Sequence, residues 1–183
     1  MNKTNAIEHT DDFYIQLASK GWTTIALIAG LAILSIWGLP FLLDSFWLSW
    51  IILLFAFVKA FFIVKLSFKQ LMKIINQSHL LSHILVLFGL LISMIITSFA
   101  FDFTSLQFFA PESFKSSLNI ESSSTKVFFE YLYFSTITFS SVGYGDIFPT
   151  SLIAKMLVIL EVVLRFFVLV FGIANVNRIR VNK

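Results

Sequence analysis

The chain has 183 residues, of which 58% are hydrophobic and 13% charged, whereas about a quarter of the residues of a soluble domain carry charge. This composition predicts an integral membrane protein, and the absence of Cys excludes disulfides, thiolate metal sites and cysteine nucleophiles. The net charge of +3 is spread along the chain and forms no basic patch, which argues against nucleic-acid binding.

Four apolar stretches are long enough to cross a bilayer, since a spanning helix needs about 20 residues. They are Gly21 to Leu39, Phe46 to Phe68, Leu80 to Phe101 and Ser151 to Val176. The stretch Lys126 to Phe139 is shorter and predicts a helix that enters the membrane and returns. The predicted fold is therefore an all-α integral membrane protein with four transmembrane helices and one re-entrant segment.

Basic residues predict the orientation, because Lys and Arg concentrate in cytoplasmic segments. They lie at the end of the second stretch, between the second and third stretches, and after the fourth: Lys65, Lys69, Lys73, Arg178, Arg180 and Lys183. Both termini are therefore expected in the cytoplasm, which requires an even number of spans.

Two charged residues near the second and third stretches also have expected positions. Lys59 lies well inside the second stretch, and we expect its long side chain to extend towards the cytoplasmic face. A voltage sensor would need several regularly spaced charges in the membrane, which the chain lacks. Asp102 directly follows the third stretch, so it is assigned to the outer, extracellular segment that joins this stretch to the re-entrant segment.

Residues 140–146 read Ser-Ser-Val-Gly-Tyr-Gly-Asp and carry the functional signal. Glycine tolerates backbone angles closed to other residues, so alternating Gly143 and Gly145 allow successive carbonyl groups to point the same way. A ring of such oxygens can replace the hydration shell of an alkali cation. Irregular backbone at membrane depth is tolerated only where it faces protein or water. The sequence therefore predicts that this loop lines a pore.

The segment from Tyr131 to Thr150, with Val-Gly-Tyr-Gly followed by Asp-Ile-Phe-Pro, resembles the pore helix and filter of the potassium-channel pore-domain family in its bacterial form. The resemblance extends over about Leu80 to Val176. It implies passive K+ transport by a homotetramer in the lipid bilayer. The protein would be a multi-pass protein of the cell membrane, which in a bacterium is the inner membrane. It implies no enzyme activity, and no cofactor apart from bound K+ ions.

The resemblance also implies a domain division. Residues 1–20 would be a cytoplasmic segment, residues 21–78 a peripheral helix pair with its linker, and residues 79–176 the pore domain. Residues 177–183 would be a cytoplasmic tail. Two alternatives remain open: a weakly selective cation channel, and a non-conducting subunit that Arg165 silences.

Individual positions receive roles from the same resemblance. Oxygen atoms for ion binding would come from Ser141, Val142, Gly143, Tyr144 and Gly145, with K+ held at the first four. Ser141 stands where most family members have Thr. Ser140 would add a hydroxyl at the inner mouth.

The surroundings of the loop receive roles as well. Asp146 would accept a hydrogen bond from Tyr133 and brace the outer mouth. Ile137 occupies a position where some members have an acid, so that acid is expected to be missing.

The last stretch contains Glu161 and Arg165, four residues apart and deep in an apolar helix. One interpretation is an ion pair within or between subunits that braces the helix. The other is that Arg165, which replaces a bending glycine of many members, opposes the passage of cations. Gly172 is then the remaining glycine of the span, and one helical stripe supplies gate candidates: Phe166, Leu169, Ile173 and Asn177.

Overall fold

The computed structural model describes residues 45–77, 81–116 and 123–181, together with residues 26, 29–31 and 33. Within these ranges, the side chains of residues 45, 46, 68–77, 81–84, 171 and 173–181 fall outside the description. Of the first predicted span, only residues 26, 29–31 and 33 are described, and they are helical.

The described part of the chain is mostly helical. Its elements are α1 (Ser45–Gln77), α2 (Leu81–Phe109), a 3-10 turn (Pro111–Ser113), β1 (Phe114–Ser116), α3 (Ser124–Ser140), β2 (Ile147–Pro149) and α4 (Leu152–Val181). The strands β1 and β2 pair antiparallel, with Lys115 opposite Phe148. The all-α prediction missed this small sheet, because three-residue strands are too short to show the alternation that identifies a strand.

Two described helices, over Trp47–Ser67 and Leu85–Phe109, are long and apolar enough to cross a membrane. Helix α2 extends two turns beyond the predicted end at Phe101. In this extension the Thr104 and Ser105 hydroxyls donate to the carbonyls of Ala100 and Phe101, at 2.7 and 2.8 Å, so these polar groups are hydrogen-bonded within the helix. The total of four spans stays a prediction.

The helices pack around α2, which contacts α1, α3 and α4. An aromatic cluster made of Phe103, Phe114, Tyr131 and Phe134 joins α2, β1 and α3. Its closest ring centroids, those of Phe114 and Tyr131, are 5.0 Å apart, and those of Phe103 and Phe134 are 5.1 Å apart. These four side chains are buried, so the cluster holds the middle of α3 against α2 and the sheet.

A buried ion pair joins α1 to α2. The Lys59 ammonium group binds Asp102 Oδ1, and the two side chains are 1% and 0% exposed. Two predictions are therefore wrong: the Lys59 side chain is buried against α2 and does not extend to an aqueous face, and Asp102 lies inside α2 and not in an outer segment. The physical reason is that each charge removes much of the cost of burying the other. Sequence patterns do not reveal a partner 43 residues away.

Candidate functional site

The site begins where α3 ends. Ser141 adopts a left-handed backbone, with φ 58° and ψ 29°. Its N–H donates to the Thr138 carbonyl at 3.0 Å, and the Val142 N–H donates to the Ile137 carbonyl at 2.9 Å. This pair of bonds is the Schellman helix end, in which glycine usually takes the left-handed position. It ends α3 and directs the chain into the Val-Gly-Tyr-Gly loop.

The backbone of the loop alternates in handedness. Positive φ angles occur at Ser141 (58°), Gly143 (56°) and Gly145 (78°), whereas Val142 and Tyr144 between them do not have positive φ. In an extended strand, successive carbonyls point to opposite sides; alternation of handedness allows them to share one side. Added Cβ atoms on Gly143 and Gly145 would meet no atom within 4 Å, so backbone angle and not space requires glycine here.

A hydrogen bond ties the far end of the loop to α3. The Tyr133 hydroxyl donates to Asp146 Oδ2 at 2.7 Å, and Asp146 Oδ1 accepts from the Ile147 N–H at 3.0 Å. The contact between Tyr133 and Asp146 is the one that the resemblance implied; its role in ion passage stays a prediction. The Ser140 hydroxyl donates back to the Thr136 carbonyl at 2.8 Å, within α3, and its expected place at the inner mouth stays a prediction.

With the loop in the role of ion filter that the resemblance implies, we expect Tyr133→Phe to weaken discrimination between K+ and Na+. The variant keeps the ring but leaves the Asp146 carboxylate without its hydroxyl donor, so the outer end of the loop is less firmly held. The K+/Na+ permeability ratio measures this effect. The matched control is Tyr131→Phe, which removes a hydroxyl that donates to Gln107 Oε1 at 2.7 Å, away from the loop. Equal ratios in Tyr133→Phe and wild type would contradict the bracing role.

A positively charged side chain of α4, that of Arg165, lies against the first residue of the loop, Ser141. The guanidinium of Arg165 donates to the hydroxyl oxygen of Ser141. It also lies over the Phe166 ring, with the guanidinium carbon 5.2 Å from the ring centroid. Phe166 and Leu169 are exposed in the single chain. The structure thus brings together two predicted site residues, Ser141 and Arg165, whose contact the sequence did not indicate.

Comparison with known families decides the class of this site. A family model described as an ion channel matches residues 84–181, which is more than half of the chain. The chain belongs to this ion channel family. The matched region contains α3, the loop, α4 and most of α2. No curated protein and no solved structure matches the chain.

Glu161 of the channel has a different partner from the one expected. Its Oε1 atom is 2.5 Å from the Ser135 hydroxyl of α3, and that hydroxyl is also 3.0 Å from the Ile96 carbonyl of α2. Glu161 is fully buried. Among the described residues of one chain, Glu161 therefore does not pair with Arg165, and pairing between subunits stays a prediction. The two residues lie one turn apart on α4, and each contacts a different part of the α3–loop segment.

Ser135 and Glu161 were not predicted to meet, and they change one expectation about the channel. Ile137 is buried, and its own position supplies no acid, as expected. A carboxyl group nevertheless lies against the buried side of α3, because Glu161 of α4 contacts Ser135 there. The sequence feature that indicated a contact was the position of Glu161, a charged residue in the middle of an apolar helix. It indicated a protein partner without identifying Ser135.

Gly172 of the channel permits close packing between two helices. A Cβ atom on Gly172 would lie 3.0 Å from the Phe88 ring of α2, so the absent side chain lets α4 approach α2. Its predicted role as a bending point is untested. The other two gate candidates, Ile173 and Asn177, lie in α4 with side chains outside the described part.

Proposed function

We propose that this channel is selective for K+ and passes the ion passively down its gradient through a tetrameric pore. The observation that carries the proposal is the alternation of φ from Ser141 to Gly145 in the sequence Ser-Val-Gly-Tyr-Gly. Carbonyl and hydroxyl oxygens are hard ligands that suit alkali cations. The proposed ion sites use the carbonyls of Ser141, Val142, Gly143 and Tyr144, with the Ser141 hydroxyl at the innermost site and the Gly145 carbonyl at the outer end.

Electrostatics of the helix supports a cation. The last carbonyls of α3 precede the loop, and the C-terminal end of a helix carries a partial negative charge. This charge is close to Ser141, where the innermost ion site is proposed. A helix end oriented in this way favours a cation over an anion.

A single loop cannot surround an ion, so the proposed pore needs several copies. Closed cyclic symmetry is the usual solution for identical subunits, and four loops form a filter of the potassium-channel kind. Val142 is 51% exposed and Tyr144 72% exposed in the single chain. Neighbouring copies would cover these side chains. In the proposed arrangement, both termini are cytoplasmic and four helices of each subunit cross the bilayer.

One observation favours the alternative of a non-conducting subunit. The Arg165 guanidinium lies on Ser141, the residue of the innermost proposed site. A fixed positive charge at this position opposes a second cation. Conduction then requires that Arg165 leave Ser141.

Ion uptake by reconstituted protein tests the proposal. Vesicles containing the purified channel are expected to take up K+ faster than empty vesicles and at least about tenfold faster than Na+, as carbonyl-lined filters do. The mass of the purified protein in detergent is expected to equal four chains. Uptake of K+ and Na+ at equal rates would support the weakly selective alternative. A tetramer that passes neither ion as wild type but passes K+ once Arg165 is replaced by a neutral residue would support the alternative of a subunit that Arg165 silences.

A further inference from the structure

We propose that Arg165 is a tethered cation that occupies the innermost ion site and makes conduction asymmetric. This inference rests on the proposed function, because it assigns a regulator to the same filter. Its starting point is the contact between the Arg165 guanidinium and the Ser141 hydroxyl. A guanidinium has only donors and a permanent positive charge. It therefore takes from Ser141 the oxygen that a permeating ion would use.

No described carboxylate neutralises this charge. The acid one turn away on the same helix, Glu161, is directed to Ser135. The acid buried in α2, Asp102, is bound by Lys59. The acid at the other end of the loop, Asp146, is held by Tyr133. The neighbour that Arg165 does contact, the Phe166 ring, is an uncharged partner that holds a cation without cancelling its charge.

Arg165 lies on the inner side of the filter, the side away from Asp146, which we call the cavity side. Helix α4 begins at Leu152, soon after β2, and Arg165 lies about 20 Å along it at the usual helical rise. The loop runs in the opposite direction along the chain: its first residue, Ser141, contacts Arg165, and its last residue, Asp146, adjoins β2. The guanidinium therefore approaches the loop from its inner end. In a tetramer, four such groups would surround the axis.

This geometry predicts a preferred direction of current. Ions that arrive from the Asp146 end meet the filter first and repel the guanidinium back towards the cavity. Ions that arrive from the cavity must pass the guanidinium, and the voltage that drives them also drives Arg165 into the filter. Current from the Asp146 end towards the cavity should exceed the reverse current. A neutral side chain at this position should remove the difference.

The test is current through planar bilayers containing the full-length tetramer, with equal K+ on both sides and both polarities of voltage. Arg165→Gln is expected to raise the smaller current at least about tenfold, the size of effect that one close unscreened charge can produce, and to make the two directions equal. Arg165→Ala is a second neutral variant in case glutamine impairs assembly. Arg165→Lys keeps the charge and should keep the asymmetry. Lys155→Gln removes an exposed charge from the same helix and should behave as wild type.

The outcomes separate this inference from the proposed function. Symmetric currents in wild type, unchanged in Arg165→Gln and still selective for K+, would overturn the tethered cation and leave the proposed function standing. Absence of K+ current in wild type and in both neutral variants would overturn the proposed function, and the inference with it. Equal currents in Arg165→Lys and Arg165→Gln would show that charge is not the cause, which also overturns the inference.

Discussion

Gly143→Ala is expected to abolish K+ flux almost completely. At φ 56°, an L-residue with a Cβ atom costs about 1–2 kcal/mol more than glycine, and in a tetramer the cost arises four times around one ring. No neighbouring atom lies within 4 Å of the added methyl group, so the loss would come from the backbone and not from a clash. If the backbone relaxes to negative φ, the carbonyls no longer share one side.

Gly89→Ala provides the matched control for this experiment. Gly89 lies in α2, is exposed and has no atom within 4 Å of the added Cβ. Alanine is more favourable than glycine inside a helix by about 1 kcal/mol, so this variant should retain wild-type flux and stability. Flux measured with equal amounts of assembled protein compares the two. Retention of flux in Gly143→Ala would contradict the assignment of this loop as the ion filter.

Removal of one partner of the Lys59–Asp102 ion pair is expected to produce the largest loss of stability. Lys59→Met leaves the Asp102 carboxylate buried and unpaired, and Asp102→Leu leaves the Lys59 ammonium buried and unpaired. Each side chain is almost completely buried, and breaking such a pair typically costs about 3–5 kcal/mol. Thermal unfolding of the purified channel in detergent measures the loss.

The double variant Lys59→Met with Asp102→Leu distinguishes pairing from packing. Apolar residues of similar size remove both charges and their desolvation cost, so the double variant should be close to wild type or more stable. A double-variant cycle then gives a large favourable coupling between the two sites. Additive losses from the two single variants would contradict a direct ion pair. Since α1 lies outside the filter, K+ selectivity should be retained wherever the protein assembles.

The loop and its supports are the parts of the molecule that local sequence predicts best. The two glycines of Val-Gly-Tyr-Gly show where positive φ is tolerated. The helix before them ends at Ser140, one residue beyond the predicted end at Phe139. The hydrogen bond between Tyr133 and Asp146 was anticipated from the resemblance to the potassium-channel pore-domain family. Left-handed Ser141 was not anticipated, since a non-glycine residue gives no sequence signal for that conformation.

The long-range polar contacts could not be predicted from patterns. Lys59 was expected at the cytoplasmic face and Asp102 in an outer segment, so burial was not anticipated for either. Glu161 and Arg165 lie deep in an apolar stretch, which indicates a protein partner but does not identify it. Glu161 and Arg165 have the spacing of a helical ion pair. In the fold, other groups compete for both residues: Ser135 binds Glu161, and Ser141 binds Arg165. Tertiary contacts therefore override the local preference.

The most direct test of the central claim is the reversal potential of the reconstituted channel, with K+ on one side of the bilayer and an equal concentration of Na+ on the other. Arg165→Gln is measured beside wild type, so that a blocked pore does not hide the result. We expect a reversal potential displaced far towards the K+ equilibrium value in both proteins. A reversal potential near zero would contradict a filter built from aligned main-chain oxygens.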